Sequence, residues 1–261
     1  MKKILGVIVV SVIAAVVALL MPAERKESGM RRLNRTDPEF VAIWNNLQQS
    51  EAILHNSLNE KDRLLLILAS NIATQSEGMY QETLAKALEK GISPVEVKEV
   101  LYHAVPYAGG AKVYDFLLLT NQLFAERGIK LPTEAQGTVS QQTRFDKGLA
   151  VQKGIFGEQI DRMRAGAPAG QKHIQDFLSA NCFGDYYTRK GLDIKQRELL
   201  TFSILISMGG ADAQVRGHVQ GNANVGNGKE TLVDAVTVLL PFIGYPRSLN
   251  ALAAINEILP D

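Results

Sequence analysis

One histidine in this chain is placed where an imidazole could do chemistry. His218 lies in the stretch from Arg197 to Asn250, in a helix-length segment that ends near Gly226. An imidazole titrates near neutrality and can move a proton to or from a reacting atom, so His218 is the candidate general acid or base. The competing reading is an interface histidine bonded to a carbonyl. The other three histidines, His55, His103 and His173, have no metal-ligand spacing with one another or with paired carboxylates, and no metal is expected. The single cysteine, Cys182, excludes an intramolecular disulfide and any CxxC pair. Nothing basic adjoins it in sequence to lower its pKa, so it reads as a small buried apolar residue rather than a reactive thiol. Tyr186 and Tyr187 follow closely and read as core rather than pocket lining. Gly109-Gly110 and Gly209-Gly210 lack the lysine or hydroxyl of a phosphate loop and read as helix ends.

The elements around His218 occur twice. At a constant offset of 135 positions, Leu64-Leu65 stands against Leu199-Leu200, Gly91 against Gly226, Glu99 against Asp234, Pro106 against Pro241, Gly109 against Gly244 and Asn121 against Asn256. An ungapped offset through several helix-length segments reads as an internal duplication. Thr83 takes the place of His218 in the first copy, so that copy is expected to be structural. Phe40, Ile43, Trp44 and Leu47 repeat at three and four, one buried helix face. Lys61 to Thr74 is apolar nearly all round and predicts a helix buried on most sides. Met79 to Lys90 is amphipathic and stops at Gly91, a left-handed C-cap. Ser93-Pro94-Val95-Glu96 predicts a capping box with proline at the first helical position. A further amphipathic helix is expected over Arg144 to Met163, and no run of period-two alternation supports a strand. The fold class is therefore all-α, two tandem repeats of packed helices.

Net charge is +1 with no basic stripe, which disfavours nucleic acid, and 46% hydrophobic content suits a buried core. Lys2-Lys3, an apolar run over 4–21 and polar Glu24-Arg25-Lys26-Glu27 have the layout of a signal peptide or a membrane anchor. The expected organisation is a leader over 1–23, a polar tether over 24–36, a first repeat over 37–127, a linker over 128–143 and a second repeat over 144–261. The expected location is outside the cytoplasm: periplasmic, secreted, or tethered to a membrane through residues 4–21.

Phe183-Gly184-Asp185, Arg189, Gly191-Leu192, Arg197-Glu198-Leu199, His218 with Gly226 eight residues on, and Phe242-Ile243-Gly244-Tyr245-Pro246 before Leu249-Asn250 form an ordered set. That set resembles the carboxymuconolactone decarboxylase family. The resemblance covers Phe183 to Leu259 well and Asp62 to Phe124 more loosely. It implies an all-helical fold, assembly as trimers or hexamers, and here a homotrimer that forms a pseudo-hexamer of repeats. It also brings in Glu198, the family-matched glutamate, to orient His218 or hold the proton. The competing fate for Glu198 is a salt bridge to Arg197 or Arg216. Substrates of the family carry carboxylates, and a guanidinium fork suits a carboxylate, so Arg189, Arg216 and Arg247 are the candidate substrate contacts. One branch of the family is a peroxidase with a Cys-x-x-Cys-x-x-x-His motif. In this chain those cysteine positions are Ala211 and Gln214, and in the first copy Ser76 and Met79. A dithiol peroxidase needs an attacking and a resolving thiol, so that activity is disfavoured.

The sequence thus points to a cofactor-free, lyase-type enzyme acting on a small carboxylated or lactone substrate, with His218 and Glu198 as its acid–base pair. Lactone catabolism of this kind is cytoplasmic whereas this chain has an export-type leader, so a different substrate is expected. The alternative is a non-catalytic binding or assembly protein kept for its pocket or its oligomer.

Overall fold

The computed structural model describes residues 28–260. The leader over 1–23 lies outside the described residues. The described residues through Ala42 belong to one compact unit and those from Ile43 onward to a second. In the first unit, part of the expected tether is helical: α1 (Gly29–Thr36) starts at Ser28, whose hydroxyl accepts the Arg31 amide. Helix α2 (Pro38–Asn45) follows.

The duplication is plain in the element order. A π-helical segment (Asn46–Glu51) precedes α3 (Glu60–Ala73), α4 (Glu77–Glu89), α5 (Pro94–Ala108) and α6 (Gly110–Glu126). After the linker come α7 (Arg144–Phe156), α8 (Gln159–Ala165), α9 (Lys172–Phe177) and a longer π-helix (Leu178–Tyr187). Then α10 (Ile194–Met208), α11 (Asp212–Val225) and α12 (Lys229–Ile258) repeat the first series. Among the described residues there is no strand. The matched glycines share backbone geometry as well as register. Gly91 and Gly226 have φ of 82° and 92°, and Gly109 and Gly244 have φ/ψ of 91°/142° and 77°/168°. Such values are strained for a residue with a Cβ, so each copy keeps glycine where its chain must break. The break at Gly244 divides α12 into counterparts of α5 and α6.

Local chemistry sets the helix ends. Ser93 and Glu96 make the expected capping box on α5, and Asp193 with Gln196 makes another on α10. The helix expected over Arg144 to Met163 is split at Gly157, which has φ of 67°. Burial follows the composition. Leu64 through Ala73 of α3 and Arg197 through Ser207 of α10 are buried without interruption. Burying each Leu or Ile side chain stabilises by about 1.5–3 kcal/mol, so these two helices dominate the core. That core is one continuous cluster drawn from both copies. The copies also exchange equivalent helices, α5 packing on α10 and α12 on α3. Helix α12 is long and apolar enough to cross a membrane. However, it buries Leu232, Ala235, Val236 and Leu239 in the protein core and is broken at Gly244, so it is a core helix.

The π-helix before α10 is held by an unusually close crossing with α7. A Cβ on Gly148 would sit 2.0 Å from the Ser179 carbonyl oxygen, and one on Gly184 would sit 2.2 Å from that of Arg144. Only glycine at both positions allows this approach. The crossing fixes Cys182, Phe183 and Tyr187 in a small second core with Ile155.

Candidate functional site

Helices α10 and α11 bring Glu198 and His218 together. Glu198 Oε2 lies 2.9 Å from His218 Nδ1; the glutamate side chain is fully buried and that of the histidine is 12% exposed. Neither Arg197 nor Arg216 takes this carboxylate: Arg197 turns to Glu99 at 2.9 Å, and Arg216 pairs with exposed Glu257 at 2.8 Å. The second oxygen of Glu198 accepts from the Tyr187 hydroxyl at 2.7 Å. With both oxygens accepting, the carboxylate fixes the histidine proton on Nδ1 and leaves the Nε2 lone pair free.

A chain of hydroxyls stands behind Tyr187. Its oxygen is 2.8 Å from the Tyr107 hydroxyl and 2.7 Å from the Thr201 hydroxyl. The Cys182 thiol reaches Tyr107 at 3.8 Å, and His103 Nε2 lies 2.9 Å from both Thr201 Oγ1 and the Arg197 carbonyl. Counting one proton per group gives a single consistent direction. Cys182 donates to Tyr107, which donates to Tyr187, while His103 Nε2–H is shared between the Arg197 carbonyl, which can only accept, and Thr201, which donates to Tyr187. Tyr187 finally donates to Glu198. Burial dominates the electrostatics. It raises the Tyr187 phenol well above its ordinary range, with the Glu198 charge adding to the effect. It pushes the Cys182 thiol up to about 12. It holds His103 well below the usual imidazole range, with the Arg197 cation acting in the same direction. Cys182 is therefore a neutral thiol donor and not a thiolate.

His103 and Tyr107 stand on α5, so the first copy supplies two side chains to the network of the second. The exchanged position does not repeat this set of side chains. Glu198, Tyr187, Thr201 and His218 correspond at the 135 offset to Arg63, Ala52, Leu66 and Thr83, while Val238 and Phe242 replace His103 and Tyr107. Phe156, at the end of α7, and Tyr107 each set a ring edge-on to His218, at 5.4 and 5.7 Å between centroids. On α11, Gly221 lies three residues beyond His218, and a Cβ there would sit 2.6 Å from Glu198 Oε2. Tyr187 was legible only as core, because its hydroxyl partners lie on other helices.

The three arginines expected near the site are engaged elsewhere. Arg189 Nε bonds both oxygens of Glu99, at 2.9 and 3.1 Å, and its guanidinium lies over the Tyr102 ring. Arg216 has the Glu257 pair. Arg247 donates to the Ser207 carbonyl at 2.7 Å, at the end of α10. Among the described residues, no group of three or more His, Cys, Asp or Glu side chains is placed to hold a metal ion.

Comparison with known proteins agrees with this architecture. The 4-carboxymuconolactone decarboxylase of Acinetobacter baylyi is 26% identical over 124 residues, 47% of this chain and 92% of that protein. Nitrosuccinic acid decarboxylase of Metarhizium robertsii is 27% identical over 118 residues, 45% of this chain and 82% of that protein. A crystal structure provisionally assigned as a gamma-carboxymuconolactone decarboxylase subunit, from Burkholderia xenovorans, superposes with a TM-score of 0.51 at 18% identity. It covers 87% of this chain and 89% of its own, a likeness of fold. The profile of the carboxymuconolactone decarboxylase family matches residues 38–122 and again 172–257, so α7 and α8 lie outside both matches. With two such matches spanning well over half its length, the chain belongs to the carboxymuconolactone decarboxylase family.

Proposed function

We propose that this protein is a cofactor-free decarboxylase-type enzyme for a small carboxylated or lactone substrate, with His218 as its proton carrier. The observation that carries this reading is the 2.9 Å contact from Nδ1 of a slightly exposed His218 to a fully buried Glu198. The two curated relatives are named for decarboxylation of substituted carboxylic acids. In each substrate an electron-withdrawing lactone or nitro group can accept the electron pair left on carbon when CO2 departs. That carbon then needs a proton. Imidazolium at His218 supplies it from Nε2, while Glu198 balances the positive charge and holds the ring. His218 afterwards regains a proton from solvent at its exposed edge. Tyr187 and the hydroxyls behind it are positioning groups that keep Glu198 an acceptor. An arginine contact to the substrate carboxylate, from Arg189, Arg216 or Arg247, would require movement of the side chain from its present partner. The homotrimer implied by family resemblance, and export through residues 4–21, belong to the same reading.

One observation favours a binding protein instead. His218 is packed between the Tyr107 and Phe156 rings, and it does not line either of two clefts, of about 420 and 200 Å³, found among the described residues. Release of CO2 from a panel of small carboxylated lactones and nitro acids decides between the two readings. Turnover that His218→Ala lowers by about 10²–10⁴-fold supports the enzyme. Turnover unchanged in that variant refutes His218 as the proton carrier, and no turnover with any substrate in the panel supports the binding protein.

A further inference from the structure

A cleft of about 420 Å³ is lined by α5 residues Val95, Lys98, Glu99 and Tyr102, by linker residues 131–136, and by Arg189. No side chain that contacts His218 lines it. Its chemistry centres on Lys98, a residue only 5% exposed. The ammonium donates to the neutral amide oxygen of Asn121 and lies 5.8 Å from the centroid of the Phe124 ring. Among the described residues no carboxylate forms a salt bridge with it. Removing an ammonium from water without a counter-ion is costly, and burial lowers the pKa of this lysine accordingly.

The other charges leave the cleft receptive to an anion. Glu99 is already held by Arg197 Nη2 and Arg189 Nε, both at 2.9 Å. Arg189 spends Nε on that contact, and its two terminal nitrogens make no hydrogen bond among the described residues. Glu134, the remaining acid in the lining, is exposed. The apolar part of the wall comes from Val95, Leu131 and Pro132. At the 135 offset, Lys98 and Arg189 correspond to Val233 and Leu54, so neither cation recurs at the equivalent position of the other copy.

We propose that this cleft is a second binding site, for a small organic anion whose carboxylate or phosphate end is held by Lys98 Nζ and the terminal nitrogens of Arg189. Val95, Leu131 and Pro132 receive its apolar remainder. The volume lies within the range of small-molecule pockets, about 300–1,000 Å³.

The experiment is calorimetric titration of the full chain with benzoate and, separately, inorganic phosphate, up to about 10 mM at low ionic strength. Wild type is expected to bind at least one probe saturably. Phosphate alone marks a phosphate end, and benzoate alone a carboxylate with an apolar remainder. Lys98→Met weakens binding by about tenfold or more, the effect of a lost charge-assisted hydrogen bond. Glu134→Gln tightens it by about two- to fivefold, because an exposed like charge is removed. His218→Ala leaves it unchanged, which separates this site from the proposed reaction. Absence of binding by both probes, equal affinity in Lys98→Met, or loss of binding in His218→Ala overturns the proposal. If Lys98→Met does not fold, Glu134→Gln decides, and unchanged affinity there overturns it as well.

Discussion

Replacing Glu198 by Gln should reverse the tautomer of His218. In the wild type the carboxylate accepts from the Tyr187 hydroxyl at 2.7 Å and faces Nδ1 at 2.9 Å. A hydrogen bond to an ionised acceptor contributes about 1.5–3 kcal/mol. At about 1.4 kcal/mol per tenfold, that favours the Nδ1–H form of the neutral ring by roughly ten- to a hundredfold. Glutamine preserves the shape but offers one acceptor and one donor group. Tyr187 is itself approached by the Tyr107 and Thr201 hydroxyls, so its own proton must still point at residue 198. The amide oxygen satisfies Tyr187, the amide nitrogen turns to His218, and Nδ1 becomes an acceptor. A neutral hydrogen bond of about 1 kcal/mol then favours Nε2–H by roughly fivefold. Long-range proton–nitrogen NMR on labelled protein reads the tautomer directly and needs no substrate. The expected result is Nδ1–H in wild type and predominantly Nε2–H in Glu198→Gln, with the fold retained. Finding Nδ1–H predominant in both proteins would refute the directed network. Decarboxylation by the variant should fall by about 10²–10⁴-fold, since the ring loses its orienting charge.

Three further outcomes follow from the same geometry. Gly221→Ala places a methyl 2.6 Å from Glu198 Oε2 and 2.8 Å from Phe156 Cε1. Overpacking of about 1–3 kcal/mol should outweigh the helix-propensity gain of about 1 kcal/mol; denaturant unfolding measures the balance, and a net stabilisation would contradict the crossing. His103 stays neutral when folded and charges when unfolded, so the unfolded chain binds the extra proton as pH falls. Stability from this site is full above about pH 6.5 and declines below it by as much as about 1.4 kcal/mol per pH unit. Urea unfolding of His103→Gln between pH 7 and 5 should show a slope shallower by up to one proton, and an unchanged slope refutes the assignment. Tyr114 and Leu118 on α6, with Tyr245 and Leu249 on α12, are exposed apolar residues, and Tyr114 and Leu249 match at the 135 offset. Light scattering should give three times the 28.5 kDa mass of the chain; a monomer at micromolar concentration would oppose the proposed homotrimer.

The sequence by itself determined what is local. Apolar spacing marked the helices, Ser93 with Glu96 marked a helix start, and the 135 offset marked the duplication. The paired glycines have matching positive φ because a chain reversal with that geometry excludes a Cβ wherever it recurs. Missing cysteines at 211 and 214 disfavoured dithiol chemistry without any structure, since no arrangement of the chain can supply an absent thiol. Family resemblance placed Glu198 beside His218. What the sequence left open was which helix meets which. Periodicity records that α5 has a buried face but not that α10 of the other copy covers it, so His103 read as an isolated histidine and Tyr107 drew no notice. The fates of Arg189, Arg216 and Arg247 were equally non-local: each guanidinium takes a carboxylate or carbonyl presented from another segment of the fold. Lys98 reads in sequence as an ordinary helix-surface lysine. Only its burial against Asn121 and Phe124, in a cleft completed by the linker, makes its charge a feature that calls for a counter-ion.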